Sequence, residues 1–299
     1  MSPTKPDTLA GGPASLRVRA PLGPDARLVM AKAERENFPV AARFLPRQVR
    51  TDVLAVYGFA RLVDDVGDES SGDRGIALDR IESELNRVFA GDSTHPLMRR
   101  LIPAVRAHAI PPEPFQELIA ANRQDQVIAR YPTFEDLLGY CELSANPVGR
   151  LVLYVFDAAT PDRIRLSNWI CTGLQLVEHW QDVSEDYARG RVYLPGEDLI
   201  RFGVAEEELR AGPASLAFRR MMSFEVNRAR GLLDRGTPLC RRLPPRAGLA
   251  VAAFVAGGIS ALDAIARAGF DVLGARPRPS DLSRVLALVR TLALSYREG

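Results

Sequence analysis

The sequence predicts an all-α protein, a helical bundle around a central cavity, and three observations carry that prediction. Segments with apolar residues at steps of three and four succeed one another along most of the 299 residues, which is the period of a helix with one buried face. Strict apolar-polar alternation, the period of a half-buried strand, is nearly absent. The joints between segments are rich in Gly, Pro, Ser and Asp, which stop helices and turn the chain. No repeat of fixed period shows beyond two acidic helices, so a single bundle of about ten helices is the economical arrangement.

Residues 1–25 are rich in Pro, Gly, Ala and Ser without sustained periodicity, and read as a disordered or loosely attached tail ahead of one domain over 26–299. From 26 the pattern turns helical, with Leu28, Met30 and Ala31 leading to Glu36, Asn37 and Phe38, where Pro39 marks a break or a new start. Val49, Val53, Val56, Tyr57, Ala60 and Val63 give a clear amphipathic helix over 47–66, which Gly67 and the SSGDRG run turn into a loop. Helices over 76–90 and 96–109 read as scaffold. The PPEP run starts 115–129, whose AANRQDQ segment is unusually polar for a core-facing helix and offers Asp125 as a pocket residue. Thr133 caps a helix over 134–142, SANPVG (144–149) interrupts it, and 150–156 resumes the apolar pattern. A helix over 164–186 follows. After Pro195 come a loop, a short helix from Glu206, and helices over 216–234, 249–268 and 281–296. The stretch 249–268 is the most apolar, but Gly257, Gly258, Ser260, Asp263 and Arg267 interrupt it, so it reads as a buried helix rather than a membrane span.

Composition narrows the classes. Hydrophobic residues at 46% and charged ones at 25% are ordinary globular values. With 39 basic against 37 acidic residues the net charge is only +2, which argues against a nucleic-acid surface. Cys141, Cys171 and Cys240 are odd in number and lack metal-ligand spacing, which suits buried free thiols in a reducing, cytoplasmic setting and gives no zinc site. The N-terminus shows no secretory apolar region.

The chemistry concentrates in two stretches. In EHWQDVSEDYARGRVYLP (178–195), Asp182 and Asp186 lie four apart, so a helix stacks them on one face where they repel. Gly190 then turns the chain, and Arg189, Arg191 and Tyr193 follow within a short reach. In YGFARLVDDVGDE (57–69), Asp64 and Asp68 are again four apart, and Arg61 lies one turn before Asp64. Mg²⁺ takes one or two carboxylates and completes its octahedron with water and phosphate oxygens, while arginine grips phosphate bidentately. Two such acidic helices facing each other clamp one diphosphate through shared Mg²⁺ ions. Asp65, Glu69 and Glu185 stand beside these acids as supporting groups or solvated face. His95 and His108 read as scaffold histidines, and His179 as pointing away from the face of Asp182.

These residues resemble the phytoene/squalene synthase family of all-α head-to-head prenyltransferases, over about 26–278. YGFARLVDDVGDE, YCELSANPVG (140–149) and LQLVEHWQDVSEDYARGRVYLP (174–195) carry the resemblance. ENFPVA (36–41), SANPVG and HWQDV look most like the bacterial hopanoid-pathway branch that converts presqualene diphosphate to hydroxysqualene. The resemblance implies Asp64, Asp68, Asp182 and Asp186 as Mg²⁺ ligands, and Arg61, Arg191 and Tyr193 as diphosphate-binding positions. It further implies Tyr57, Tyr140 and Gln175 in the pocket beside the diphosphate, with Tyr57 and Tyr140 serving catalysis, and Phe38 as an aromatic near the cation. Two departures stand out. Glu178 replaces a common asparagine and adds a candidate Mg²⁺ ligand, and Gly258 replaces a common tyrosine, leaving space for one water that suits capture of a carbocation. The implied substrate is presqualene diphosphate, with condensation of two farnesyl or geranylgeranyl diphosphates as the alternative. So long a hydrocarbon partitions into bilayers, which admits peripheral contact with the inner face of the membrane without any anchor.

Overall fold

The computed structural model describes residues 27, 29–30, 45–69, 72–210 and 212–295; the tail, Phe38 and the ENFPVA segment lie outside these. The described chain is mostly helical. The helices are α1 (Arg47–Glu69), α2 (Arg74–Ala90), α3 (Pro96–Ala107), α4 (Glu113–Gln124), α5 (Phe134–Ser144), α6 (Asn146–Val155) and α7 (Pro161–Gln181). They continue as α8 (Val183–Ala188), α9 (Gly196–Phe202), a 3₁₀ turn (Glu206–Leu209), α10 (Leu216–Gly236), α11 (Leu239–Arg242), α12 (Pro245–Arg267) and α13 (Asp281–Ser295). Among the described residues there is no strand, only an isolated parallel bridge between Arg130 and Val192.

Local chemistry sets the ends. Asp73 accepts from the Ile76 amide at 3.1 Å to start α2, and Gly91, at φ 86°, ends it in the left-handed conformation open to glycine. Thr133 and Asp136 form a reciprocal capping box at α5. Four expectations are corrected. Gly67 does not end α1, which runs on to Glu69. SANPVG costs only the single residue Ala145, because Pro147 near the start of α6 needs no intrahelical donor. The helix expected over 164–186 breaks at Asp182, whose φ of −109° and ψ of 15° leave the helical region. The loop expected after Pro195 contains α9.

Two apolar clusters support the site. One gathers α1 to α4 with Leu151, Val155 and Ala250, and contains Phe59 edge-on to Phe115 at 5.0 Å. The other gathers the later helices around Trp180, Phe218, Met221, Leu233 and Leu262. Helices α7 and α10 cross closely because both carry glycine at the contact. A Cβ on Gly173 would stand 2.8 Å from Leu233 Cδ2, and one on Gly236 would stand 2.8 Å from the Leu166 carbonyl oxygen. Helix α12, at 23 residues, is long and apolar enough to cross a membrane, but 67% of its apolar stretch is buried inside the protein, as expected of a core helix.

Cys141 and Cys240 are buried and Cys171 partly so, all as free thiols. Burial pushes Cys141 and Cys240 up to about 12, so both stay protonated and unreactive. His108 bridges Asp157 at 2.9 Å and buried Asp52 at 3.3 Å, which makes it a satisfied scaffold histidine.

Candidate active site

The first acidic pair sits on the last two turns of α1, which side chains hold in place. Gln126 donates to the Gly67 carbonyl at 3.1 Å and Arg74 to the Asp68 carbonyl at 2.8 Å, satisfying backbone acceptors that a helix end leaves orphaned. Asp64 is exposed, yet its carboxylate is crowded by protein. Desolvation pushes it up to about 6, against the pull of an Asn122 hydrogen bond at 3.2 Å and of Arg61. Gly67 makes that bond possible: a Cβ there would overlap Asn122 Oδ1 at 2.0 Å. Arg61 donates to buried Asp65 at 2.9 Å, and Tyr57 lies half-buried one turn earlier on α1.

The second acidic pair straddles the break between α7 and α8. Asp182 caps the junction, and the Asp186 amide still donates to its carbonyl at 2.8 Å. Desolvation pushes Asp182 up to about 6 despite the Arg276 guanidinium 2.9 Å away. That contact is an ion pair rather than an aligned hydrogen bond, since Asp182 Oδ1 has no hydrogen-bond partner of proper angle. Gln181 ties the same segment to the Pro277 carbonyl at 2.8 Å. Glu178 is exposed one turn before Asp182.

Arg191 and Asp125 link the two halves. Arg191 donates to Asp68 at 3.0 Å. Asp125, at the end of α4, accepts from Tyr140 at 2.8 Å on one oxygen and from Tyr193 at 3.2 Å on the other. Burial raises Asp125, with the two phenols and Arg191 opposing; burial, with Asp125 and neighbouring Tyr193 adding to it, also holds Tyr140 well above the ordinary phenol value. His179 is not turned away from the site, as expected, but lies flat on Tyr193 with ring centroids 3.7 Å apart. Its Nδ1 lies 3.7 Å from Asp186, and Gln175 meets its Nε2 at 3.1 Å. Tyr131 also stacks with Tyr193, at 5.8 Å between centroids.

A narrow cleft opens beside these groups, lined by His179, Asp186, Val192, Tyr193 and Leu194 among others. Among the described residues no three His, Cys, Asp or Glu side chains converge into a ready-made metal cage. The carboxylate pairs instead fit an ion that needs few protein ligands and takes the rest from water and phosphate.

Comparisons with known proteins give the family. A family profile described as squalene/phytoene synthase matches residues 31–284. The chain belongs to that family. It is 34% identical over 221 residues to a hydroxysqualene synthase of Rhodopseudomonas palustris, covering 72% of this chain and 74% of that one. It is 29% identical over 255 residues to a 15-cis-phytoene synthase of Synechococcus elongatus, covering 81% and 83%. The crystal structure of squalene synthase HpnC from Alicyclobacillus acidocaldarius matches at 43% identity and TM-score 0.76, covering 82% of this chain and 96% of that one. A dehydrosqualene synthase in complex with ligand, at 22% identity, has TM-score 0.81 over 90% of this chain and 95% of its own, and shows the shared fold.

The sequence missed the support of this site more than its centre. Asn122 lies beside the anticipated Asp125 in the polar AANRQDQ run, whose excess polarity was the available signal. Arg276 lies in ARPRPS (275–280), where no periodicity singles it out. At Gly258 the vacated space is filled: a Cβ there would already stand 2.7 Å from Leu174 Cδ2 and 3.1 Å from Leu233 Cδ1. Those two leucines close the space at the Cβ position itself.

Proposed function

We propose that this protein is a Mg²⁺-dependent carbon–oxygen lyase that ionises presqualene diphosphate and captures the rearranged cation with water, giving hydroxysqualene and diphosphate. The observation that carries the reading is the Arg191–Asp68 contact at 3.0 Å, because it brings the base of the second motif onto the acids of the first. Similarity to hydroxysqualene synthases, at 34% identity in one case, supports this branch.

Asp64, Asp68, Asp182 and Asp186 would hold Mg²⁺, with Glu178 as a further candidate. Bound there, the ions would neutralise charge as the carbon–oxygen bond to diphosphate breaks. Arg61, Arg191 and Tyr193 bind the diphosphate oxygens, Arg191 by its two-pronged guanidinium. Tyr140, with Tyr57 and Phe38, presents an aromatic face to the carbocation, and Gln175 lines the pocket. Water then forms the new carbon–oxygen bond and gives up a proton. Asp125 accepts from two phenols at once, which fixes both hydroxyls and leaves their rings as a wall.

Incubating purified protein with Mg²⁺ and presqualene diphosphate is expected to yield hydroxysqualene. Recovery of unchanged substrate from folded, metal-supplied protein overturns the reading. A second reading, head-to-head condensation of two farnesyl or geranylgeranyl diphosphates, is favoured by the similarity to squalene and phytoene synthases. Product analysis with each diphosphate in turn separates the two.

A further inference from the structure

We infer that the outer face of α13 is a docking surface for an anionic lipid bilayer. Leu282, Val285, Leu286 and Val289 are 69%, 58%, 61% and 61% exposed, and they follow one another at i, i+3, i+4 and i+7, so they form one stripe along the helix. Exposed apolar residues scattered singly are normal, but a continuous stripe marks a contact surface. The opposite face is already occupied: Ala287, Thr291 and Ser295 are buried, and Leu288 and Leu292 pack on the second apolar cluster. The helix is therefore apolar on both sides and seated on only one.

Charge selects the occupant. Arg278, Arg284 and Arg290 are exposed on and just before α13, against one acid, Asp281, which pairs with Arg284 at 3.3 Å. Aliphatic side chains to enter the acyl boundary, with an excess of arginine to meet phosphate headgroups, are the requirements of an interfacial helix. Area argues against a second copy of the chain. Fifteen residues span only about 22 Å of helix, and one face of that length falls well short of the ~800 Å² per partner of a stable dimer. Position adds a further link, because the segment leading into α13 touches the site through Gln181 and Pro277 at 2.8 Å.

The test uses full-length protein and no substrate, so its outcome is separate from that of the proposed reaction. Wild-type protein should sediment with vesicles of phosphatidylcholine and phosphatidylglycerol, and several-fold less with phosphatidylcholine alone. The Leu282→Glu/Val289→Glu variant should bind about tenfold more weakly, and the milder Leu286→Gln should fall between. Ile200→Glu, at an exposed apolar position elsewhere (83%), should bind as wild type. Circular dichroism checks that each variant folds. Wild-type protein left in the supernatant, or stripe variants that sediment like wild type, overturns the proposal. Equal binding to both vesicle types overturns the anionic assignment. A wild-type dimer that the double variant splits into monomers gives the face to a second copy and overturns it as well.

Discussion

The Arg191 guanidinium lies 3.0 Å from the Asp68 carboxylate, joining residues 123 positions apart. Asp68 is about half exposed (54%), and an ion pair that open contributes only ~0–1 kcal/mol to stability. Its value is positional. Arg191→Lys is therefore expected to leave the melting temperature within about 2 °C while lowering kcat/KM by ~10²-fold, because an ammonium cannot reproduce two parallel hydrogen bonds to phosphate. Steady-state kinetics and a melting curve on one preparation check both halves.

The two acids pushed up to about 6, Asp64 and Asp182, predict a metal-dependent stability. Between the ordinary carboxylate value near ~4 and about 6, the folded state holds more protons than the unfolded one. Stability without metal thus falls as pH rises through that window and levels off above it. Mg²⁺ should restore it at pH 7.5, and Asp64→Asn or Asp182→Asn should blunt the response. Melting curves at pH 5 and 7.5, with and without Mg²⁺, decide; no Mg²⁺-dependent shift at either pH counts against these ligands.

Gly67→Ala sets two effects against each other. Alanine favours a helix interior by about 1 kcal/mol over glycine. The added Cβ, however, would overlap Asn122 Oδ1 at 2.0 Å and drive that side chain off Asp64. The expected result is a protein of unchanged or slightly higher melting temperature whose Mg²⁺ requirement rises by about tenfold, a cost of ~1.4 kcal/mol. An activity titration against Mg²⁺ measures it.

Much of the centre was legible because it is local. Asp64 and Asp68 share one helix, and the spacing that pairs them is written directly in the chain. The interruption at Asp182 was not legible: Val183, Ser184 and Glu185 show no helix breaker, and the residue leaves helical geometry at the junction that also meets Arg276. Asp125, Tyr140 and Tyr193 come from three segments, and only folding shows that one carboxylate serves both phenols. The same holds for His179, whose helical face said little until Tyr193 was placed against it.

Asp125→Asn should separate the two phenols. An amide keeps one accepting oxygen but turns an NH₂ toward the other hydroxyl, so one of the bonds at 2.8 and 3.2 Å is lost. A loss of about tenfold or more in kcat is expected, with Tyr140→Phe less than additive on top of it. Full additivity would mean that the carboxylate does not act through that phenol.

Glu225 supplies a pH prediction away from the site. It is fully buried beside Asp198, sharing Arg228 with it at 3.1 and 2.8 Å. Desolvation pushes it up to about 8, against the pull of Arg228 and with Asp198 adding to the rise. Stability should therefore fall as pH climbs from the ordinary glutamate value near ~4 through about 8. Glu225→Gln should flatten that slope and melt higher than wild type at pH 8.5, as read by calorimetry across the range.

The glycines at 173 and 236 bear on how the two acidic motifs keep their distance. Each lets α7 and α10 meet where a single methyl group would collide with Leu233 or with the Leu166 carbonyl. Helix α7 also carries Gln175 and His179 and ends at Asp182. A wedge of one carbon at this crossing would tilt the rod and swing its acidic tip, so the spacing between the two aspartate motifs is gauged from behind, by two side chains that are not there.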